Sequence, residues 1–133
     1  ALHALSIKVI VHLILGLPHE TREMMSASVQ AIANLPVWGI KLQLLHVLSG
    51  TDLAAYYEKT HFPVFSMDEY CEMIIDCLEL LPPEMVIHRI TGDGPKDLLI
   101  APMWSTGKRT VLNQIHRRLK ERNTYQGCLA TKR

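Results

Sequence analysis

The sequence predicts an α/β protein: a three-stranded parallel βαβαβ sheet followed by a carboxyl-terminal amphipathic helix. Three aliphatic segments, 7–15, 39–46 and 85–90, are separated by stretches with apolar residues at helical spacing. Turn-forming residues follow each of them: Gly16-Leu17-Pro18, Ser49-Gly50-Thr51 and Thr91-Gly92-Asp93-Gly94-Pro95.

The first strand is almost continuously apolar, the pattern of a parallel strand. Lys8 and His12 interrupt it with the parity of Ile14 and Gly16, opposite Val9, Val11, Leu13 and Leu15, so one face is more polar. Gly16 permits close approach of a backbone or a flat ligand, and Pro18 fixes φ before Glu20, Thr21 and Glu23 open a helix. An ordinary strand, turn and helix would read the same way. Residues 1–5 look like the end of a preceding helix.

The first helix is expected from about Thr21 to Asn34, with Met25, Val29 and Ile32 inward, and Leu35-Pro36 stops it. In the second strand, Lys41 and Gln43 alternate with Leu42 and Leu44. Thr51 can cap a short helix through Tyr57. Ser66-Met67-Asp68-Glu69 matches a capping box, with Tyr70, Ile74, Cys77, Leu78 and Leu81 as the buried stripe. Pro82-Pro83 ends that helix. After the third strand, a last helix over about 106–122 turns Val111, Leu112, Ile115 and Leu119 inward, and Lys108, Arg109, Arg117, Arg118, Lys120 and Arg122 largely outward.

With 133 residues and 48 % hydrophobic content, one compact domain over 1–133 is expected. Three scattered cysteines do not suggest a disulfide framework, so a reducing cytoplasm is the expected compartment. The longest apolar run is too short and too interrupted to cross a bilayer, and no signal peptide precedes it. The net charge of +1 conceals a division: residues 1–107 carry −6 and residues 108–133 carry +7. Such a basic end is either a solvated helix face or a surface for a polyanion.

Several motifs are excluded. Residues 106–110 suggest a phosphate loop, but Pro102 stands where its first Gly is needed and Arg109 replaces Ser or Thr. His19-Glu20 lacks the second His of HExxH, since position 23 is Glu. His46, Cys71 and His88 lack zinc-ligand spacing. Cys71 and Cys77 lie about 240° apart around a helix and Cys128 is remote, so no metal is expected here.

Four segments in order, VHLILGLPHETREMM, LPVWGIKLQLLHVLSGTDLA, LELLPPEMVIHRITGDGP and TVLNQIHRRLKERNTYQG, resemble radical SAM proteins of the YhcC/YtqA type over essentially the whole chain. The resemblance implies the carboxyl-terminal half of a partial (β/α)6 barrel, with 1–104 as the half barrel and 105–133 as the basic helix and tail. It implies an oxidoreductase in which S-adenosylmethionine and a [4Fe–4S] cluster serve the full-length parent. The family's C-x3-C-x2-C cluster motif is absent, so neither cofactor is expected to bind this chain alone.

Within the family the fifth barrel strand carries the adenine platform, and Val11 to Glu20 matches it. The resemblance thus implies His12, Ile14, Gly16, Leu17 and Pro18 as cofactor-binding. His19 departs from relatives that carry Gly. Lys41, Gln43, His46, His88, Arg89 and Asp93 are the substrate-facing candidates, although His12, Lys41 and Gln43 could instead be satisfied buried polar groups. Strict alternation lets at most one of His88 and Arg89 point inward, and Arg89 could simply pair with Asp93.

Relatives of this type implicate tRNA wobble-uridine modification, with Lys108, Arg109, Arg117, Arg118, Lys120 and Arg122 as nucleic-acid contacts. The competing function is a non-catalytic nucleic-acid or protein-binding module using the basic helix. Expected partners are the amino-terminal half of the barrel, tRNA and, for the isolated chain, a second copy; no membrane is expected. Alternatively, the last helix folds back over the open sheet face.

Overall fold

The computed structural model describes residues 7–91 and 95–130. In chain order the elements are β1 (Ile10–Leu15), α1 (Arg22–Ala33), β2 (Gly39–Leu44), β3 (Val47–Leu48), α2 (Asp52–Thr60), α3 (Met67–Leu80), β4 (Val86–Arg89), β5 (Leu99–Ala101) and α4 (Lys108–Glu121). Short 3-10 turns occupy Lys96–Leu98 and Met103–Thr106. The expected end of a helix at 1–5 lies outside the described residues.

Side-chain caps set the starts of α1, α2 and α3. Thr21 accepts a hydrogen bond from the Met24 amide at 3.1 Å, and Thr51 accepts one from Ala54 at 3.1 Å. Ser66 and Glu69 form a reciprocal capping box: the Ser66 hydroxyl accepts from the Glu69 amide at 3.1 Å, and Glu69 Oε1 accepts from the Ser66 amide at 3.0 Å.

The three-stranded parallel sheet has the order β1-β2-β4. Ile10 opposes Gly39 and the register runs unbroken to Leu15 opposite Leu44, so His12 stands beside Lys41 and Ile14 beside Gln43. Leu15, Ile40, Leu42 and Leu44 are buried in one core with Met25 and Val29 of α1 and Tyr70, Met73, Ile74 and Cys77 of α3. The helices therefore cover one face. On the other, His12, Ile14, Val86 and His88 are exposed and Lys41 and Gln43 are half-buried.

Helix α4 packs on α3 and buries Val111 and Ile115 in that same core. Its apolar stripe is thus engaged within the helix layer. It does not fold back over the open sheet face, because α3 offers a matching apolar surface flanked by carboxylates.

Two expectations about the strands need correction. The segment 39–46 is strand only to Leu44; Val47 and Leu48 belong to a second, antiparallel pair with β5. Val47 and Ala101 there form a small core with Ala54 and Phe62. Strands of two and three residues are too short for periodicity to reveal. The other correction concerns β4, where the register shifts between Ile40 and Lys41 of β2, so that Ile40 opposes Ile87 while Lys41 opposes Arg89. This irregularity breaks the alternation that separated His88 from Arg89. Arg89 stands in register with Lys41, and the His88 ring lies against Gly39, where a Cβ would meet it at 2.7 Å.

Candidate functional site

A cleft of about 410 Å³ opens at the carboxyl end of β1. Gly16, Leu17, His19, Glu20 and Arg22 form one wall, and Pro63, Val64, Phe65 and Glu69 the other. Its backbone is a turn in which the Glu20 amide donates to the Leu17 carbonyl at 3.0 Å. Pro18 and His19 occupy the centre of that turn, and His19 has φ +65°, the sign that the third position of a type II turn requires. Glycine meets this demand without strain, whereas His19 meets it with its ring Nε2 2.8 Å from the Tyr56 hydroxyl. The departure at His19 therefore keeps the loop geometry and adds a tie to α2.

Gly16 has φ +91°, and a Cβ there would lie 3.0 Å from the Phe65 ring. The close approach permitted by Gly16 is thus made by Phe65. That ring meets Tyr70 edge to face, and Tyr70 meets the tilted ring of Trp104, whose Nε1 donates to the Phe65 carbonyl at 2.8 Å. The buried Tyr70 hydroxyl donates to the Ile90 carbonyl at 2.7 Å, and burial pushes its pKa well above the ordinary phenol value.

The cofactor candidates divide between two places. Gly16 and Leu17 line the cleft and Pro18 lies in its turn, whereas His12 and Ile14 lie on the bare sheet face. Of the substrate candidates, Lys41, Gln43 and His88 share that face, and Arg89 joins them in register. His46 sits half-buried between β2 and β3. Asp93, and with it the suggested pairing to Arg89, lies outside the described residues. Phe65, Tyr56 and Trp104 were not singled out from the sequence; the run Phe62-Pro63-Val64-Phe65 ahead of a capping box was the available signal.

The basic candidates on α4 divide as well. Arg118 pairs with Asp68 and, at 2.8 Å, with Glu72. Arg122 reaches Glu72 at 3.0 Å, Asp76 at 3.3 Å and Glu79 at 3.2 Å. The hydrogen bond to Glu72 raises the Arg118 pKa, opposed by partial burial and aided by Asp68. Arg117 makes only a loose pair with Glu121 at 3.6 Å and a bond to Gln114. Lys108, Arg109, Arg117 and Lys120 are exposed.

The residues present do not suit an iron–sulfur cluster. Among the described residues no three His, Cys, Asp or Glu side chains form a group able to hold a metal. Cys71 and Cys77 are buried and Cys128 is exposed. Burial raises both buried thiols, Cys77 to about 12. The cleft suits a planar base better: apolar Leu17, Met25, Val64 and Phe65 line it beside main-chain groups at Gly16. Among the described residues no helix is long and apolar enough to cross a membrane.

Comparison with known proteins places this geometry. The chain is 50 % identical over 121 residues to the uncharacterized protein YtqA of Bacillus subtilis, covering 91 % of this chain and 38 % of that protein. It is 32 % identical to the uncharacterized protein MJ0486 of Methanocaldococcus jannaschii, covering 95 % of this chain and 39 % of that one. It is 28 % identical to YhcC of Escherichia coli, covering 92 % and 40 %. The chain thus spans about two-fifths of the length of these relatives. Among solved structures, Elp3 of the archaeon Methanocaldococcus infernus superposes with a TM-score of 0.74 at 18 % identity, covering 94 % of this chain and 29 % of that one, which shows a shared fold. Residues 37–121 match the Radical_SAM C-terminal domain, and with the parallel sheet and one-sided helix layer already described, the chain belongs to that family.

Proposed function

We propose that this chain forms the adenine and substrate wall of a radical SAM enzyme whose remaining barrel strands and cluster lie elsewhere in the intact protein. The observation that carries the reading is the cleft at Gly16 to Arg22, set at the carboxyl end of a parallel strand beside a sheet face that no helix among the described residues covers. Ligands of α/β sheets and barrels gather at strand carboxyl ends. S-adenosylmethionine, when bound and reductively cleaved, supplies a 5′-deoxyadenosyl radical that abstracts hydrogen from a substrate.

This chain's own residues bind and orient. Leu17 and the turn from Gly16 to Glu20 offer an apolar edge and backbone to the adenine, and Phe65, packed against Gly16, completes the apolar lining. His12, Lys41, Gln43 and His88 face the chamber that the rest of the barrel would close. The substrate class we favour is tRNA, modified at a wobble uridine, with Lys108, Arg109, Arg117 and Lys120 contacting phosphate from the outer face of α4.

The test is expression of the intact protein and assay of 5′-deoxyadenosine under anaerobic reduction. Formation of that product is expected, and its absence with every reductant would overturn the enzyme reading. Three cysteines at C-x3-C-x2-C spacing in the upstream reading frame are the matching genetic expectation. tRNA binding should weaken with salt and fall when Arg117 and Lys120 are neutralised; binding that persists unchanged removes that surface from the assignment.

A further inference from the structure

The bare face of the sheet has a distinctive charge pattern. Its residues by register are Ile10, His12 and Ile14 on β1, Gly39, Lys41 and Gln43 on β2, and Val86, His88 and Arg89 on β4. None is acidic. Lys41 stands at the centre of the middle strand, half-buried, with His12 in register on one side and Arg89 on the other. Among the described residues no hydrogen bond or ion pair engages the Lys41 ammonium. Lys8, the other lysine near this face, is differently placed, with its ammonium 4.6 Å from the centre of the Trp38 ring.

Among the described residues no acidic side chain stands in register beside this half-buried lysine, so its charge is left for a ligand to meet. We propose that Lys41 anchors a phosphate group of the substrate on the bare sheet face, with Arg89 and His12 flanking it. The proposal deepens the reading of this face as a substrate wall and rests on it. Phosphate suits the row because its several acceptor oxygens and its charge take more than one cationic neighbour, and neighbouring parallel strands set those neighbours about 4.8 Å apart. S-adenosylmethionine suits it less. Its sulfonium and ammonium outnumber its carboxylate, so the row of Lys41 and Arg89 opposes its net charge.

The experiment uses the intact protein with inorganic pyrophosphate as the probe, titrated calorimetrically at low and moderate salt. Wild type should bind pyrophosphate, Lys41→Met should lose affinity by about tenfold or more, and Lys41→Arg should retain most of it. Lys59→Gln, exposed in the last turn of α2, should leave binding within about twofold. Unchanged melting temperatures show that each variant folds; Lys41→Arg serves the same purpose should Lys41→Met fold poorly.

Equal affinity in wild type and Lys41→Met overturns the proposal, as does absence of binding to wild type, or loss of S-adenosylmethionine affinity alone in Lys41→Met. 5′-Deoxyadenosine formation is read separately. Its absence with pyrophosphate still held through Lys41 overturns the enzyme reading and leaves the anchor, while its presence with pyrophosphate indifferent to Lys41 does the reverse.

Discussion

Arg118 of α4 donates to Glu72 of α3 across 2.8 Å, and the same guanidinium reaches Asp68 one turn earlier. Arg122 continues the row onto Glu72, Asp76 and Glu79. The division of charge along the chain, negative before residue 108 and positive after it, is thus partly closed in space by one helix–helix contact.

Arg118→Met should lower the unfolding free energy by about 1–2 kcal/mol, since the side chain is 18 % exposed and its partners are partly screened by solvent. Urea denaturation at low and high salt checks this. Added salt should weaken wild type more than the variant, and a variant as stable as wild type would show that α4 is held by Val111 and Ile115 alone.

Gly16→Val should cost stability as well as ligand binding, because both φ +91° and the Phe65 ring oppose a side chain there. The expected loss is about 2 kcal/mol or more. Adding Phe65→Leu should recover part of it, leaving the backbone contribution in place. A Gly16→Val protein that melts with wild type would refute the contact.

His19→Gly should fold within about 1 kcal/mol of wild type, since relief of the positive φ offsets loss of the Tyr56 bond. His19→Val keeps a side chain and loses both advantages, so it should lose about 1–2 kcal/mol. Denaturant midpoints for the pair decide it; the opposite order would mean that the Tyr56 contact dominates.

The thiols give a pH dependence. Below the ordinary value of 9.0 both the folded and the unfolded chain keep Cys77 protonated, and above it only the unfolded chain ionises freely. Stability should therefore fall as pH climbs from 9.0 toward about 12, with a slope from Cys77 of at most about 1.4 kcal/mol per pH unit. In the native protein at pH 8 an alkylating reagent should modify Cys128 and spare Cys71 and Cys77, read by mass spectrometry of the peptides. Equal labelling of all three would contradict the burial.

The isolated chain should self-associate. Its uncovered sheet face exposes Ile14 and Val86, with Trp38 nearby, and α4 is engaged elsewhere. Light scattering across a dilution series checks this, and a monomer persisting at high micromolar concentration would count against it.

Much of this architecture was legible in the chain because α1, α2 and α3 announce their own starts. Thr21, Thr51 and Ser66 cap where their spacing to the following apolar stripes requires, and parity sets His12, Lys41 and Gln43 on the polar sides of their strands, which the register joins into one face. The irregular register of β4, the short β3–β5 pair and the partnership of α4 with α3 were hidden, since each depends on residues distant in sequence. The same holds for the cleft: Gly16 signalled a close approach, but only the fold supplies Phe65 as the group that makes it.

The aromatic cluster has a mechanical consequence. Phe65 presses on Gly16 at the end of β1, its carbonyl holds Trp104, and its ring meets Tyr70, whose hydroxyl grips Ile90 just beyond β4. The two outer strands of the sheet are therefore braced at their carboxyl ends by a strut that bypasses the middle strand. Pushing Phe65 aside to widen the cleft would load that strut, and with it the hydrogen bond from Tyr70 to the Ile90 backbone.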